Sequence, residues 1–480
     1  MRFASGSAIV ALLIAAVTIG ADDQPSAIEK AKPASSAEEK KVDPGVEQLV
    51  KDLGSEDYRI REKAGRDLVA KGEKILPNLR AALANTDDPE VHRRLLIMVR
   101  KMDYDRLVAP KLVKLSLKNK TVKEALAEIT KQTGYKIEFM GGDGGPAIPG
   151  VPGISSGSTG KKHDFEFNET PFWQAMDKVL TTGGCEIANN NGDETLQVYH
   201  QEESSNPYVS YAGPFRFVAS NINSNINVQL AGVNRRGGPS RQEYMNLNFE
   251  IQSEPKNPML GITHVDVIAA ADENGGSLIP PRDQNFRQNF FYNNGNMRGH
   301  STYGNVNLSR RDKTATTIKT LKAKVGVILL SGTVPEVTIT DPLKVTKKTF
   351  TGRTVEIEFG SFTEVANNKG HYQLELTAKK LGRPEANQFN QFNQNEDFNW
   401  SNTFWQKVEV LDSAGNRYHS FGPSGIDNNG TSVTLTVPFG PEDRRTGQKA
   451  KLGPPVKLLI NEWMSVVNEV TFEFKGIPLP

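Results

Sequence analysis

The sequence predicts a multidomain α+β chain: short amphipathic helices, then a small α/β unit, then antiparallel β-sandwiches. Three observations predict this. Apolar residues recur with a helical period from 43 to 104, in strand–helix–strand order twice between 112 and 199, and with period two from 206 onward. At 480 residues the chain exceeds one ordinary core and implies roughly three or four domains. A composition of 37 % hydrophobic and 24 % charged residues is that of a soluble globular protein, and a net charge of +2 gives no support for a dedicated nucleic-acid binder.

The chain opens MRFASGSAIVALLIAAVTIGADDQPS. Arg2 precedes an apolar run over 8–19, and small Gly20 and Ala21 precede Asp22 and Asp23. That is the layout of a secretory signal peptide over residues 1–21, which implies export to the periplasm, the cell envelope or the extracellular space. A membrane anchor is the alternative, but the apolar run is short for a span. No later run is long enough to cross a bilayer, so no transmembrane segment is expected after signal removal. Residues 22–42 are mostly Ala, Ser, Pro, Lys and Glu and read as a flexible linker. Cys185 is the only cysteine, which removes any intramolecular disulfide or cysteine-based metal cluster.

Helices are expected over 43–104. Asp43-Pro44 offers a cap and a first-turn proline, and Val46, Leu49, Val50 and Leu53 share one face before Gly54. Ile60, Ala64 and Leu68 mark a second helix, and Ile75, Leu76, Leu79 and Leu83 a third around Pro77. Asp88-Pro89 opens a fourth with Val91, Leu95, Met98, Val99 and Met102. Two stacked helical hairpins follow from this spacing, and "DYRIREKAGRDLVAKGEKILPNLRAAL" resembles a HEAT-type repeat. An isolated helical bundle is the alternative.

Over 111–200 the chain repeats itself. Leu115 and Leu117 alternate as in a strand, Thr121 and Glu124 form a capping box, and Val122, Ala125, Leu126 and Ile129 make one helical face. Gly134 ends the helix, and Tyr135, Ile137 and Phe139 alternate again. "FEFNETPFWQAMDKVLTTGGCEI" returns the pattern 50 residues later without a gap, with Thr170-Pro171 capping one residue earlier than Thr121 would. Leu196 and Val198 add a closing strand, and the two units are expected to share one small sheet. The order "TVKEALAEITKQTGYKIEF", a linker, "FEFNETPFWQAMDKVLTTGGCEI" and a closing strand is similar to the short N-terminal domain of secretins and TonB-dependent receptors. The resemblance covers residues 112–199 and implies a periplasmic module that makes protein contacts. The chain departs from that family in showing no series of amphipathic strands for an outer-membrane barrel. The intervening "GGDGGPAIPGVPGISSGSTGKK" lacks the flanking strand, helix and Gly-Lys-Ser/Thr ending of a phosphate-binding loop, and reads as a flexible crossover insertion.

Eight period-two segments follow: 247–252, 263–269, 324–329, 354–359, 372–378, 407–412, 432–437 and 469–474. With turns between them and no long helices, they imply antiparallel sandwiches. "HVDVIAAADENGGSL" and "KVEVLDSAGNRY" each end a strand in Asp-x-x-Gly, so they are taken as corresponding hairpins of two sandwiches, 206–334 and 335–480. One larger sandwich is the alternative. The whole architecture resembles uncharacterised modular envelope proteins of bacteria. Asn-rich inserts at 283–305 and 386–400 read as loops, or as surfaces whose aromatics stack on sugar rings.

Chemistry is sparse. The seven histidines are scattered, no H-E-x-x-H occurs, and "GISSGSTG" lacks the strand–turn–helix setting of a nucleophile elbow. His264 and Asp266 share a strand face but have no evident third metal ligand. Asp272, Asn274, Asp412 and Ser413 could offer oxygens to calcium, but a glycine-bearing type I turn explains them with fewer requirements. No catalytic residue, cofactor site or metal site is assigned. Lys101, Arg106, Lys111, Lys114, Lys118, Lys120 and Lys123 crowd the junction of the helices and the α/β unit. The lysines either guard an exposed strand or contact an anionic partner, namely Lys111, Lys114, Lys118, Lys120 and Lys123. The expected function is a secreted, non-enzymatic envelope protein with a protein-docking and scaffold role. An anionic envelope polymer is a further candidate partner. The alternative is a carbohydrate-binding or glycan-modifying protein that uses the sandwiches, the Asn-rich loops, Trp400 and Trp405.

Overall fold

The computed structural model describes residues 44–86, 88–140, 160–188, 195–201, 206–229, 240–280, 298–381, 400–401, 403–428, 432–442 and 449–480. The expected signal peptide, the linker and most of the glycine-rich insertion lie outside the described residues. The fold is mixed α+β with several antiparallel sheets.

Four helices lead: α1 (Pro44–Asp52), α2 (Tyr58–Ala70), α3 (Leu76–Asn85) and α4 (Pro89–Val108). Local chemistry sets their starts. The Asp57 carboxylate accepts from Arg59 N, and the Asp88 carboxylate from Glu90 N and Val91 N, so donors that the first turn leaves open are satisfied. Leu53, Leu68, Leu79 and Leu95 fill the core between the helices, whereas Ile60, expected on the inner face of α2, is exposed.

The α/β unit comprises β1 (Leu112–Thr121), α5 (Val122–Thr133), β2 (Lys136–Met140), β3 (Lys162–Pro171), α6 (Phe172–Gly183), β4 (Cys185–Ile187) and β5 (Thr195–His200). The 50-residue repeat holds in backbone detail. Leu112 to Lys162 and Val122 to Phe172 are both steps of 50, and so are the left-handed residues Asn119 to Glu169 and Gly134 to Gly184. Two expectations need correction. The halves do not share one sheet: β1 pairs antiparallel with β3, while β2 and β4 flank β5 in a separate three-stranded sheet. Both helices fill one core with them, because each helix carries apolar residues for two faces. Thr170 does not cap α6; the cap position is Pro171, in register with Thr121, and Pro171 has no side-chain acceptor to offer.

The β region has two layered cores. In the first, β6 (Val209–Ala212), β7 (Phe215–Gln229), β8 (Ser240–Ser253) and β10 (Ser301–Leu308) form a sheet ordered β10-β8-β7-β6. A second sheet, ordered β15-β19-β11-β9, contains β9 (Met259–Asp272), β11 (Thr317–Thr340), β15 (Val408–Asp412) and β19 (Pro455–Pro478). The third contains β12 (Lys348–Thr351), β13 (Val355–Glu364), β14 (Tyr372–Lys380), β16 (His419–Ser420) and β18 (Ser432–Gly440) in the order β12-β13-β14-β18-β16, with β17 (Gly425–Asn428) also on β18. The order β10-β8-β7-β6 is thus repeated as β18-β14-β13-β12, and both face the middle sheet.

The expected boundary near residue 335 falls inside a continuous strand. Strands β11 and β19 are 24 residues each and pair from Thr317↔Pro478 to Thr340↔Lys457. Residues 318–329 of β11 and 470–477 of β19 line the first core; Val337, Ile339, Leu458 and Ile460 line the second. Each long strand begins in one core and ends in the other. Register shifts at Leu330/Gly332 and Pro335/Val337 mark the waist between the cores. The two Asp-x-x-Gly turns adopt one geometry: Asp272 and Asp412 each accept from the backbone N–H groups two and four residues on, and Gly275 and Gly415 have φ of +84° and +80°. Ser301–Asn305, expected within a loop insert, belong to strand β10.

Candidate docking face on the α/β unit

The two ends of the α/β unit differ in character. At its inner end it is anchored to the β layers. Glu254, with no exposed surface, accepts from Lys111 N at 3.0 Å and from the Tyr135 hydroxyl at 2.7 Å. Burial pushes the Glu254 carboxyl above its usual range, and the Tyr135 hydrogen bond opposes that shift. Trp173 Nε1 donates to Pro214 O at 3.1 Å. Asp177 accepts from Arg216 Nε at 2.7 Å and from the Tyr211 hydroxyl at 2.6 Å. The helical segment is anchored too: Asn257 Nδ2 donates to Leu107 O at 2.8 Å, and the Leu107 side chain enters the first β core.

Helices α5 and α6 run in opposite directions between the two ends, so about 18 Å of helix separates them. At the outer end a narrow crevice, with room for little more than one water molecule and open to solvent, lies between the half-units. Val122, Phe139, Gly183 and Cys185 line its apolar part, and Lys123, Lys161, His163 and His200 its rim. The antiparallel register places Lys120 opposite His163 and Thr121 opposite Lys162, which concentrates basic groups here. Lys120 is 2.7 Å from Glu124, and this hydrogen bond, with that of Thr121 N, holds the Glu124 carboxyl down to about 2. Burial pushes the Cys185 thiol up to about 11, so it is a neutral thiol near pH 7; its Sγ lies 3.4 Å from Gly183 O.

The five lysines singled out from the sequence therefore do not form one cluster at the junction. Lys111 is at the inner end, where its backbone N–H reaches Glu254. Lys114 lies along β1, where its backbone N–H and C=O are both bonded by the Gln132 amide at 3.0 and 2.7 Å. Lys118, Lys120 and Lys123 belong to the outer end. All five side chains are exposed. Sequence reasoning missed Lys161, His163 and His200. The 50-residue repeat was the available signal, but it does not reveal that β1 and β3 pair antiparallel.

Trp400 and Trp405 serve the second β core. Trp400 is 9 % exposed with its ring 5.2 Å from Phe404, and Trp405 is partly buried against the same cluster. They do not make an open aromatic platform for a glycan. His264 Nε2 lies 3.6 Å from Asp266 Oδ1, and among the described residues no group of three His, Cys, Asp or Glu could hold a metal. The Asp272 and Asp412 carboxylates are taken up by backbone donors of their own turns.

Comparison with protein-family models, curated proteins and solved structures returned no match. The geometry of the chain itself therefore carries any functional reading. Its outer end combines an apolar floor with a basic rim, an arrangement that can hold an acidic group beside an apolar one.

Proposed function

We propose that the chain is an exported, non-enzymatic envelope protein that docks an acidic protein partner through the outer end of its α/β unit, with the β layers acting as a scaffold. One observation carries this reading. Lys123, Lys161 and His163 line the crevice at the end of the unit that faces away from the β layers, Lys118 lies two residues before Lys120 on the same end of β1, and none of the four has an ion pair among the described residues. Two strand–helix–strand halves around one core support the likeness to the secretin and TonB-receptor N-terminal module, and the stacked helix pairs support the HEAT-like reading. The rigid anchorage of the inner end suits a scaffold, because it presents the docking face in a fixed orientation.

The test is a mature chain carrying Lys118→Glu, Lys123→Glu and Lys161→Glu, cross-linked in native envelope extract beside the wild type. The partner captured by the wild type is expected to be lost from the variant, and to be released from the wild type on raising salt from about 0.1 M to 1 M, where screening shortens from about 10 to 3 Å. Undiminished capture by the variant would show that the lysines only guard the strand edge.

A further inference from the structure

The outer face of the β6–β7–β8–β10 sheet carries asparagine at alternate positions of three neighbouring strands. The register aligns Asn305, Asn248 and Asn221 in one row and Asn307, Asn246 and Asn223 in the next. The intervening Leu247, Phe249, Val306 and Leu308 are buried, so the amides point away from the core. Sheet geometry sets the grid at about 4.8 Å between strands and about 6.8 Å along them. Asn248 Nδ2 donates to Asn221 Oδ1 at 2.6 Å, and Asn223 Nδ2 to the same oxygen at 3.1 Å. The side-chain amides of Asn246, Asn305 and Asn307 have no partner among the described residues.

Asparagine is depleted in strands, so this pattern runs against local propensity. The fold does not require it, because the repeated sheet provides an internal control. There the corresponding outer face carries Glu356, Glu358, Thr377, Lys379 and Thr434, with Lys379 paired to both glutamates and Thr377 bonded to Thr434 at 2.9 Å. That is an ordinary solvated surface, built on the same strand order.

We propose that the asparagine face binds a neutral polyhydroxylated chain, a glycan laid across β7, β8 and β10. Each free amide offers an acceptor and two donors, which matches hydroxyls that both donate and accept. The six grid side chains are uncharged, and the one acid in the adjoining row, Glu250 opposite Tyr303, would repel an anionic polymer, whereas a neutral one needs no countercharge there. Tyr303, 46 % exposed and two residues before Asn305, provides an aromatic ring beside the grid for the apolar face of a sugar. This site is separate from the basic docking face and from Trp400 and Trp405.

The experiment is affinity electrophoresis of the mature chain in gels containing hydroxyethyl cellulose, glucomannan, xyloglucan or amylopectin, with polygalacturonate as the anionic polymer. At least one neutral polymer is expected to retard the wild type, with little change on adding salt. Combined Asn246→Ala, Asn305→Ala and Asn307→Ala should raise the apparent Kd at least tenfold, and Tyr303→Ala alone should do so if the triple variant does not fold. Thr377→Ala with Thr434→Ala, on the control face, should leave retardation unchanged. The proposal is overturned if no neutral polymer retards the chain, if only polygalacturonate does, or if the asparagine and tyrosine variants bind like the wild type.

Discussion

The Tyr135 hydroxyl donates a 2.7 Å hydrogen bond to Glu254 across 119 residues of sequence, closing the α/β unit onto the first β layer at a carboxylate with no exposed surface. A buried carboxylate survives only when its oxygens are occupied, and here Lys111 N and Tyr135 occupy them, with Lys256 Nζ at 3.7 Å. The α/β unit is therefore part of what makes the β region stable, although composition and period both change between them.

The first prediction concerns pH. Burial raises the Glu254 carboxyl, so the folded state holds that proton more tightly than the unfolded chain does. Its contribution is fully present below the unfolded value of about 4.3 and is lost as pH rises through the raised folded value. Glu254→Gln removes this dependence while keeping an oxygen for the Lys111 N–H or the Tyr135 hydroxyl. The melting temperature of the wild type relative to this variant should fall from about pH 4 to pH 7. A difference that stays flat or grows over that range would refute the assignment.

A second prediction tests whether the two half-units share a core. A Cβ at Gly183, on α6, would overlap Val122 Cγ2, on α5. Gly183→Ala should destabilise by about 1–3 kcal/mol through overpacking. Adding Val122→Ala should recover part of that loss, giving a coupling above about 0.5 kcal/mol in denaturant titration. Strict additivity of the two substitutions would mean that the helix ends do not touch.

The third prediction concerns the second Asp-x-x-Gly turn. The Asp412 carboxylate accepts from Ala414 N, Asn416 N and Gly453 N at 2.9, 2.8 and 3.0 Å. The Gly453 N–H first, then the Asn416 side chain, lowers its pKa. Asp412→Asn turns a donor toward those donors and should cost about 2 kcal/mol. With a lowered folded pKa, the advantage of the wild type is present above the unfolded value of about 3.9 and is lost as pH falls through the folded one. Calorimetry should show a constant gap from about pH 5 to 8 that narrows below about pH 4. Asp272→Asn, whose turn lacks the third backbone donor, should cost less.

The fourth prediction follows from the shared long strands. A fragment spanning 206–334 lacks Val470, Phe472 and Phe474, which stack within the first core. It should show no cooperative unfolding, whereas 206–480 should unfold cooperatively but at a lower temperature than 44–480, because Leu107, Lys111 and Tyr135 are gone. A well-dispersed NMR spectrum from 206–334 alone would contradict the strand exchange.

Local chemistry was legible in the sequence. The Thr121–Glu124 capping box, the Asp88 cap, the left-handed Gly134 and Gly184, the 50-residue repeat and the matched turns at Asp272 and Asp412 all depend on residues a few positions apart. Six of the eight segments picked out by period two lie within strands, and the other two overhang theirs by one residue, Thr354 before β13 and Lys407 before β15. Strand β7 went unrecognised because "NINSNIN" has the alternation of a strand but not its usual residues. Pairing between distant segments decided the rest. It joined Lys120 to His163, moved three lysines from the junction to the outer end, placed Trp400 in a core, carried β11 through the expected boundary and aligned six asparagines from three strands. A side chain's neighbours in a sheet are set by which strands pair and in what register. That choice is made by burying whole apolar faces together, which no single segment specifies alone.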